Sequence, residues 1–222
     1  MILAVPKGRI LSECGPLLER AGIHPAPDYL DEDSRRLRFP TNDPSLDVVR
    51  VRPFDVATFV AFGAAQIGIC GSDVLMEFDY PDIYAPLDLG IGVCRISVAE
   101  PAEDAGRFDL TRASRIRVAT KYPTVARRHF AAAGVQAEIV HLNGSMELAP
   151  GLGLSRLIVD LVQTGSTLRA NGLVETDVIA HITSRLIVNR TALKTEPELI
   201  GGWIERFRAA MTNADNSTVA AA

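Results

Sequence analysis

Short runs rich in β-branched residues alternate along this chain with longer segments in which apolar residues recur every three or four positions. Such alternation is typical of sheets built from β-α-β units. Gly22 and Gly63 follow two of the helical segments, and Asp55 is placed to cap one of them. The sequence therefore predicts an α/β protein with parallel strands. In the first part of the chain we expect strands at 2–5, 46–51 and 66–70 and helices at 9–20, 55–62 and 72–78.

A second α/β unit begins near residue 91, after a β-rich stretch at 87–99 and before a loop of small and polar residues at 101–106. A helix predicted at 197–211 carries an apolar stripe that indicates core packing. The last residues, 212–222, are small and polar without periodicity, so we expect a flexible tail. The other elements expected here are strands at 115–120, 137–142 and 184–189 and a helix at 124–133.

Charge and cysteine content exclude several classes of protein. The chain has 23 Lys and Arg against 27 Asp and Glu, whereas general nucleic-acid binders are usually basic. Its three cysteines are scattered without a Cys-x-x-Cys pair, so we expect neither a zinc site nor a disulfide framework. The longest apolar run, at 56–70, is shorter than the roughly 20 residues of a membrane-spanning helix. We therefore expect a cytoplasmic protein without a membrane segment or a protein-bound metal.

The segment at 158–168 carries the clearest chemistry. An apolar strand with one acid, Asp160, leads into a loop of hydroxyl residues around Gly165. Backbone N–H groups in such a loop, aided by Thr164, Ser166 and Thr167, can converge on a phosphate, and Asp160 could accept hydrogen bonds from ribose hydroxyls. An ordinary turn or helix cap explains the same residues. Taken alone, the segment suggests a phosphoribosyl site and leaves that alternative open.

Five arginines between residues 35 and 52 form a second cluster in an otherwise acidic chain. On a strand Arg50 and Arg52 would share one face, where planar guanidinium groups suit pyrophosphate or triphosphate oxygens. Charged strand edges that keep the protein soluble explain the cluster equally well. Lys7 and Arg9 flank Gly8 at a predicted strand-to-helix turn, which is also a suitable place for an anionic ligand.

Together these segments resemble the ATP phosphoribosyltransferase family, in particular its short catalytic form. The family signature is satisfied at Glu147, Gly153, Ser155, Ile158, Asp160, Leu161, Thr164, Gly165, Thr167 and Leu168. Further family-like phrases occur at 6–9, 52–55, 68–73, 88–92, 119–123 and 142–145, so the resemblance covers nearly the whole chain. One departure is Gln163, which stands where many members of the family have Glu.

The resemblance implies an enzyme in which N1 of ATP attacks the anomeric carbon of 5-phosphoribosyl 1-pyrophosphate and displaces pyrophosphate with inversion. It places Arg52 and Arg35 as catalytic residues on the departing pyrophosphate, with Mg²⁺ bound through the substrate phosphates. The residues that would bind phosphoribosyl pyrophosphate are Asp160, Thr164, Gly165, Ser166, Thr167 and Leu168. Those that would bind ATP are Lys7, Gly8, Arg9, Asp73 and Glu147.

The family fold consists of two α/β domains around a cleft, crossed twice by the chain, similar to type II periplasmic binding proteins. By this resemblance domain I comprises 1–90 and 183–222, and domain II comprises 91–182. Short forms work with a regulatory subunit resembling histidyl-tRNA synthetase, in a hetero-oligomer that histidine inhibits. We expect such a partner here, together with self-association.

Two other hypotheses remain open at this point. The cleft fold could belong to a solute-binding or sensing module without catalysis, although an export signal and a DNA-binding segment are not visible. The chain could also be a phosphoribosyltransferase for a different base. Those enzymes usually carry two adjacent acids before the hydroxyl loop, whereas here Val159 precedes Asp160.

Overall fold

The computed structural model describes residues 1–31, 33–107 and 115–219. Two compact units are present. The first comprises Met1–Leu75, Asp79–Gly92 and the chain from Thr183 onward, and the second comprises Met76–Phe78 and Val93–Ile182. The main chain therefore passes to the second unit after Gly92 and returns after Ile182.

Eleven strands and eight helices make up the described regular structure. In the first part of the chain these are β1 (Ile2–Pro6), α1 (Arg9–Arg20), β2 (Arg38–Pro40), β3 (Asp47–Val51), α2 (Pro53–Ala61), β4 (Ile67–Gly71), α3 (Ser72–Phe78) and β5 (Ile83–Asp88). The middle part contains β6 (Cys94–Pro101), β7 (Arg115–Thr120), α4 (Pro123–Ala132), β8 (Gln136–His141), α5 (Leu148–Gly151), β9 (Leu157–Val162), α6 (Ser166–Ala170) and β10 (Leu173–Ile182). The chain ends with β11 (Ser184–Asn189), α7 (Arg190–Thr195) and α8 (Pro197–Val219). Among the described residues no helix is both long and apolar enough to cross a bilayer.

The first sheet has the strand order β2-β3-β1-β4-β11-β5, and the second has the order β10-β6-β9-β7-β8. Both sheets are mixed: the predicted parallel pairs are present, and each sheet also contains antiparallel strands that the sequence did not indicate. β1 runs parallel to β3 and β4, and β7 runs parallel to β8 and β9. β6 and β11 run antiparallel to their neighbours. These two strands enter a sheet directly from the other unit, without the crossover helix that a parallel neighbour requires.

Helices cover both faces of the first sheet, as the alternation of side chains along β1 requires. Leu3 and Val5 belong to a core that includes residues of α1 and α8, such as Leu17 and Phe207. Ala4 belongs to a second core with Val56 and Val60 of α2. The second unit has its own core, in which Ala119 and Ile158 pack with Leu168 of α6.

Two helix boundaries differ from the predictions. α2 begins at Pro53 with Arg52 at its N-cap, rather than at a cap formed by Asp55, because proline is well suited to the first turn of a helix. α8 continues to Val219, eight residues beyond the end of the helix predicted at 197–211. The apolar stripe ends near Met211, but no Gly or Pro follows to stop the helix. The rest of the predicted tail, residues 220–222, lies outside the described residues.

Candidate functional site

The loop after β9 is shaped by a single left-handed residue. Gly165 has φ 73° and ψ 7°, a backbone conformation that glycine adopts without strain, and α6 begins immediately after it. The Thr164 hydroxyl accepts a hydrogen bond from the Ser166 N–H at 3.3 Å and lies 3.0 Å from the Ser166 hydroxyl. The two hydroxyl groups and the following amides are thus gathered at the carboxyl end of β9.

A small cavity at this end of β9 brings the acid and the loop together. Its volume is about 200 Å³, and it is lined by Glu147, Asp160 and the eight residues from Leu161 to Leu168. Asp160 is partly buried, and its Oδ1 accepts a hydrogen bond from the Leu161 N–H at 2.8 Å. All six residues predicted to bind phosphoribosyl pyrophosphate therefore line one cavity.

Glu147 lines the same cavity, although the resemblance grouped it with the ATP side. It directly precedes α5 and belongs to the second unit. The other four residues predicted to bind ATP belong to the first unit. Spacing alone did not indicate that Glu147 and Asp160 would line one cavity, because they are thirteen positions apart and the fold brings their segments together.

Lys7, Gly8 and Arg9 form the exposed turn from β1 into α1. The Lys7 N–H donates to the Val51 carbonyl at 2.8 Å, and Gly8 has φ 84°, which favours glycine. The Arg9 guanidinium is 3.9 Å from the Glu13 carboxylate one turn along α1. Two cations therefore flank the N-terminus of a twelve-residue helix, where the helix dipole also favours an anion.

Asp73, at the start of α3, is only 5% exposed, and its carboxylate folds back over Gly71. A Cβ atom built on Gly71 would lie 1.9 Å from Oδ1 of Asp73. Gly71 has φ −66°, so its backbone does not require glycine and the restriction is one of space. The sequence singled out Asp73 but not the role of Gly71 in making room for it.

Arg50 is a structural residue rather than a ligand-binding one. Its side chain is 3% exposed and packs 4.6 Å from the centre of the Phe39 ring. The guanidinium donates four hydrogen bonds to backbone carbonyls, of Tyr29 at 2.8 Å, Asp31 at 2.9 Å, and Ser34 and Arg36 at 3.1 Å. The hypothesis that Arg50 and Arg52 together bind a polyanion is therefore wrong for Arg50, whose donors already hold the segment 29–36.

The other arginines of the cluster divide into two groups. Arg36 pairs with Asp28 at 3.1 Å, and Arg38 donates from Nε to Asp47 at 2.6 Å. Arg35 and Arg52 are exposed, and within the described ranges neither guanidinium has a hydrogen-bond or ion-pair partner. Sequence alone could not separate Arg35 from its neighbours, because the partners of Arg36 and Arg38 become visible only in the fold.

The side chains that could hold a metal ion directly are those of His, Cys, Asp and Glu. In the part of the chain that the structure describes, no three His, Cys, Asp or Glu side chains are grouped so as to hold an ion. All three cysteines are buried and free, and burial raises the pKa of the Cys14 thiol to about 12. The acids that line the cavity at the hydroxyl loop are Asp160 and Glu147.

Comparison with known proteins identifies the family. A family model described as HisG, ATP phosphoribosyltransferase, matches residues 52–209. The ATP phosphoribosyltransferase of Gluconobacter oxydans is 69% identical over 97% of this chain and 89% of that relative. The corresponding protein of Rhodospirillum rubrum is 62% identical over 95% of this chain and 92% of its own length.

Solved structures agree with this assignment. The ATP phosphoribosyl transferase (HisG:HisZ) complex from Thermotoga maritima has a chain with 32% identity and a TM-score of 0.81, covering 96% of this chain and 98% of that one. The periplasmic aliphatic sulphonate binding protein SsuA from Escherichia coli matches with a TM-score of 0.57 at 13% identity, covering 98% of this chain and 71% of that one. The second likeness concerns the fold alone, a pair of α/β units of the periplasmic-binding type. It does not support the hypothesis of a non-catalytic binding module. The chain therefore belongs to the ATP phosphoribosyltransferase family of pentosyl-transferring enzymes.

Proposed function

We propose that the cavity at the carboxyl end of β9 holds the phosphoribosyl group of 5-phosphoribosyl 1-pyrophosphate while N1 of ATP attacks its anomeric carbon. The N1 lone pair forms the new bond to carbon, and the bond from carbon to the pyrophosphate oxygen breaks with its electrons leaving on pyrophosphate. The products are phosphoribosyl-ATP, inverted at the anomeric carbon, and pyrophosphate, in the first step of histidine biosynthesis.

One observation carries this proposal. A single cavity of about 200 Å³ is lined both by a carboxylate, Asp160, and by the amides and hydroxyls of the Thr164–Thr167 loop. Amides and hydroxyls suit the 5-phosphate, and a carboxylate suits the ribose hydroxyls. We assign the 5-phosphate to the loop from Thr164 to Leu168 and the ribose hydroxyls to Asp160. Glu147 would line the same group from the α5 side.

ATP would bind at residues of the first unit. Lys7 and Arg9 are exposed cations at the N-terminus of α1, and Gly8 between them adds no side chain to obstruct a phosphate. Asp73 is a buried carboxylate held close to Gly71, suited to accept a hydrogen bond from a nucleotide hydroxyl or amine. We assign these four residues to ATP.

Arg52 and Arg35 would stabilise the departing pyrophosphate. Negative charge grows on that group as the bond to carbon breaks, and a guanidinium that is not already paired gains most from this charge. Both side chains are exposed and lack partners within the described ranges, unlike Arg36, Arg38 and Arg50. Mg²⁺ would arrive bound to phosphate oxygens and neutralise part of their charge, with Asp160 and Glu147 as the nearest hard oxygen donors on the cavity wall.

A regulatory partner is also proposed. The Thermotoga maritima chain that this protein resembles over nearly its whole length was solved in a HisG:HisZ complex. We infer that this chain likewise joins a regulatory subunit resembling histidyl-tRNA synthetase, through which histidine inhibits. The three free, buried cysteines are compatible with the reducing cytoplasm, where these substrates are made.

Replacing Asp160 tests the central assignment. Asp160→Asn keeps the shape of the side chain but removes its charge, so we expect kcat/KM for phosphoribosyl pyrophosphate to fall by roughly 10- to 100-fold, the loss of one hydrogen bond to a charged group. KM for ATP should stay within about twofold. Asp104→Asn, which alters a weak 3.8 Å pair with Arg156 in the same unit, is the control. Unchanged kinetics toward phosphoribosyl pyrophosphate in Asp160→Asn would overturn the assignment.

A further inference from the structure

An ion pair between two neighbouring strands contacts the start of the Thr164–Leu168 loop, which we call the phosphate loop. Arg95 of β6 donates from Nε to Oε1 of Glu175 on β10 and from Nη2 to Oε2, each at 2.5 Å. The Ser97 hydroxyl donates to the same Oε1 at 2.6 Å. Both charged side chains are largely covered, at 28% and 23% exposure. A fork of this kind fixes the plane of the guanidinium group.

The third nitrogen of Arg95 reaches the phosphate loop. Nη1 donates to the Gln163 carbonyl at 3.0 Å, at the point where β9 ends and the loop begins. Arg95 is paired in register with Val162, the last residue of β9, which brings the guanidinium to this point. On the other side of the loop, Arg169 donates to the Thr164 carbonyl at 3.1 Å. Two successive carbonyls of the loop are therefore each held by an arginine.

Holding these carbonyls also sets the direction of the amides. In a planar trans peptide the C=O and the following N–H point in opposite directions. The bond from Arg95 to the Gln163 carbonyl therefore orients the Thr164 N–H, and the bond from Arg169 to the Thr164 carbonyl orients the Gly165 N–H. Amides turned away from the arginines are free to face an anion in the cavity, whereas unfixed carbonyls would repel one.

We propose that Arg95, held in place by Glu175, is a positioning residue for phosphoribosyl pyrophosphate, fixing the Gln163 carbonyl so that the Thr164 amide, at the start of the Thr164–Leu168 loop, faces the 5-phosphate. This inference rests on the proposed function of the loop. Arg95 acts through the backbone and does not itself touch the substrate.

The charge state of Glu175 agrees with its role in holding Arg95 in one position. The hydrogen bonds from Arg95 make the largest contribution to lowering the pKa of Glu175 below its usual value, and the hydrogen bond from Ser97 lowers it further. Glu175 is therefore ionised near neutral pH, as a two-nitrogen contact with the Arg95 guanidinium requires. The chain register slips between Glu175 and Asp177, an irregularity of the kind that re-aims a side chain at a sheet edge.

Two conservative variants test the proposal in the full-length chain. Arg95→Lys keeps the charge but cannot hold Glu175 with two nitrogens and Gln163 with a third, and Glu175→Gln removes the charge that fixes Arg95. In each we expect KM for phosphoribosyl pyrophosphate to rise by roughly tenfold, a typical effect of one charge-assisted hydrogen bond, with KM for ATP within twofold. The dissociation constant of ribose 5-phosphate, measured by calorimetry, should rise by the same factor. Inhibition by inorganic pyrophosphate should not change.

Glu138→Gln is the matched control. It breaks the cross-strand pairs of Glu138 with Arg115 at 3.2 Å and with Arg117 at 3.5 Å on the same sheet, and neither arginine bonds the phosphate loop. Because the Glu138 pairs are longer and more exposed than the Glu175 pair, Glu138→Gln should lower the unfolding temperature no more than Glu175→Gln does, and it should leave KM for phosphoribosyl pyrophosphate unchanged.

The outcomes separate this inference from the proposed function. A purely structural role for the pair predicts that Arg95→Lys and Glu175→Gln lower the unfolding temperature while KM and the ribose 5-phosphate affinity stay at the control values. That result, together with a lowered kcat/KM for phosphoribosyl pyrophosphate in Asp160→Asn, overturns the positioning role alone. If Asp160→Asn also leaves this kcat/KM unchanged, the cavity is not the phosphoribosyl site and both proposals fail.

Discussion

At the scale of single residues, the site depends on where side chains are missing as much as on where they are present. Gly71 is conformationally ordinary, with φ −66°, yet a Cβ there would lie 1.9 Å from Oδ1 of Asp73. The buried Asp73 carboxylate has little other room, because its side chain is 5% exposed. The absence of a side chain at Gly71 therefore leaves the space that the Asp73 carboxylate occupies.

Gly71→Ala should displace the Asp73 carboxylate without straining the backbone. If Asp73 binds ATP from its present position, we expect KM for ATP to rise by roughly tenfold, with KM for phosphoribosyl pyrophosphate unchanged and stability reduced by about 1–3 kcal/mol through overpacking. Steady-state kinetics with each substrate varied in turn measures this. Gly202→Ala in α8, where a Cβ meets nothing within 4 Å, is the control and should be neutral or slightly stabilising. An unaltered KM for ATP in Gly71→Ala would separate Asp73 from ATP binding.

At the scale of elements, the chain before β2 is held by a side chain from β3. Four carbonyls between Tyr29 and Arg36 accept hydrogen bonds from the buried Arg50 guanidinium. This segment has little regular structure of its own beyond a single 3₁₀ turn at Pro27–Tyr29. Arg50 therefore shapes the segment that presents Arg35, and the pairs of Arg36 and Arg38 leave Arg35 as its unengaged cation among the described residues.

Because some of these arginines already have partners and others do not, we expect their substitution by alanine to affect turnover to different degrees. Arg52→Ala and Arg35→Ala should each lower kcat by roughly 10²–10³-fold with a modest change in KM for ATP, the range for one lost electrostatic donor in a transition state. Arg36→Ala removes an exposed ion pair with Asp28 and a cation–π contact with Phe39 at 5.5 Å. Each is worth about 0–1 kcal/mol, so kcat should stay within threefold. Measuring kcat and KM for the three variants under one set of conditions shows whether Arg52 and Arg35, but not Arg36, stabilise the transition state. A loss confined to KM in Arg52→Ala would contradict a role in the transition state.

The elements also show what sequence can predict. Local periodicity and capping fixed α1 and β7 to the residue, and the signature located Asp160 and its loop. β10 was not predicted, because an edge strand with exposed polar residues lacks the apolar alternation that marks a strand. Arg95 and Glu175 lie 80 positions apart and meet only through the pairing of β6 with β10. Backbone carbonyls carry no sequence signal, so the partners of Arg50 could not be foreseen either.

At the scale of the whole molecule, an acidic chain of net charge −4 handles two polyanionic substrates, so its cations must act locally. The candidate residues divide by unit. Asp160, Glu147 and the hydroxyl loop belong to the second unit. The four residues that we assign to ATP and the two arginines that we assign to pyrophosphate belong to the first unit. By the assignment proposed above, each unit would carry the chemistry for one part of the reaction.

Hydrogen exchange should reveal this division in the intact chain. Ribose 5-phosphate lacks the pyrophosphate group, so it should slow exchange at amides 163–168 and leave the turn at Lys7–Arg9 at its unliganded rate. ATP should slow exchange at Lys7–Arg9 and at the start of α3. Mass spectrometry of peptic fragments resolves these segments, and Asp160→Asn, which should lose the ribose 5-phosphate effect but keep the ATP effect, serves as the control. Equal protection of both segments by ribose 5-phosphate would mean that the phosphoribosyl group is not recognised by the second unit alone. The cavity at the end of β9 would then be only part of the phosphoribosyl site, and the turn at Lys7–Arg9 would contact the phosphoribosyl group as well.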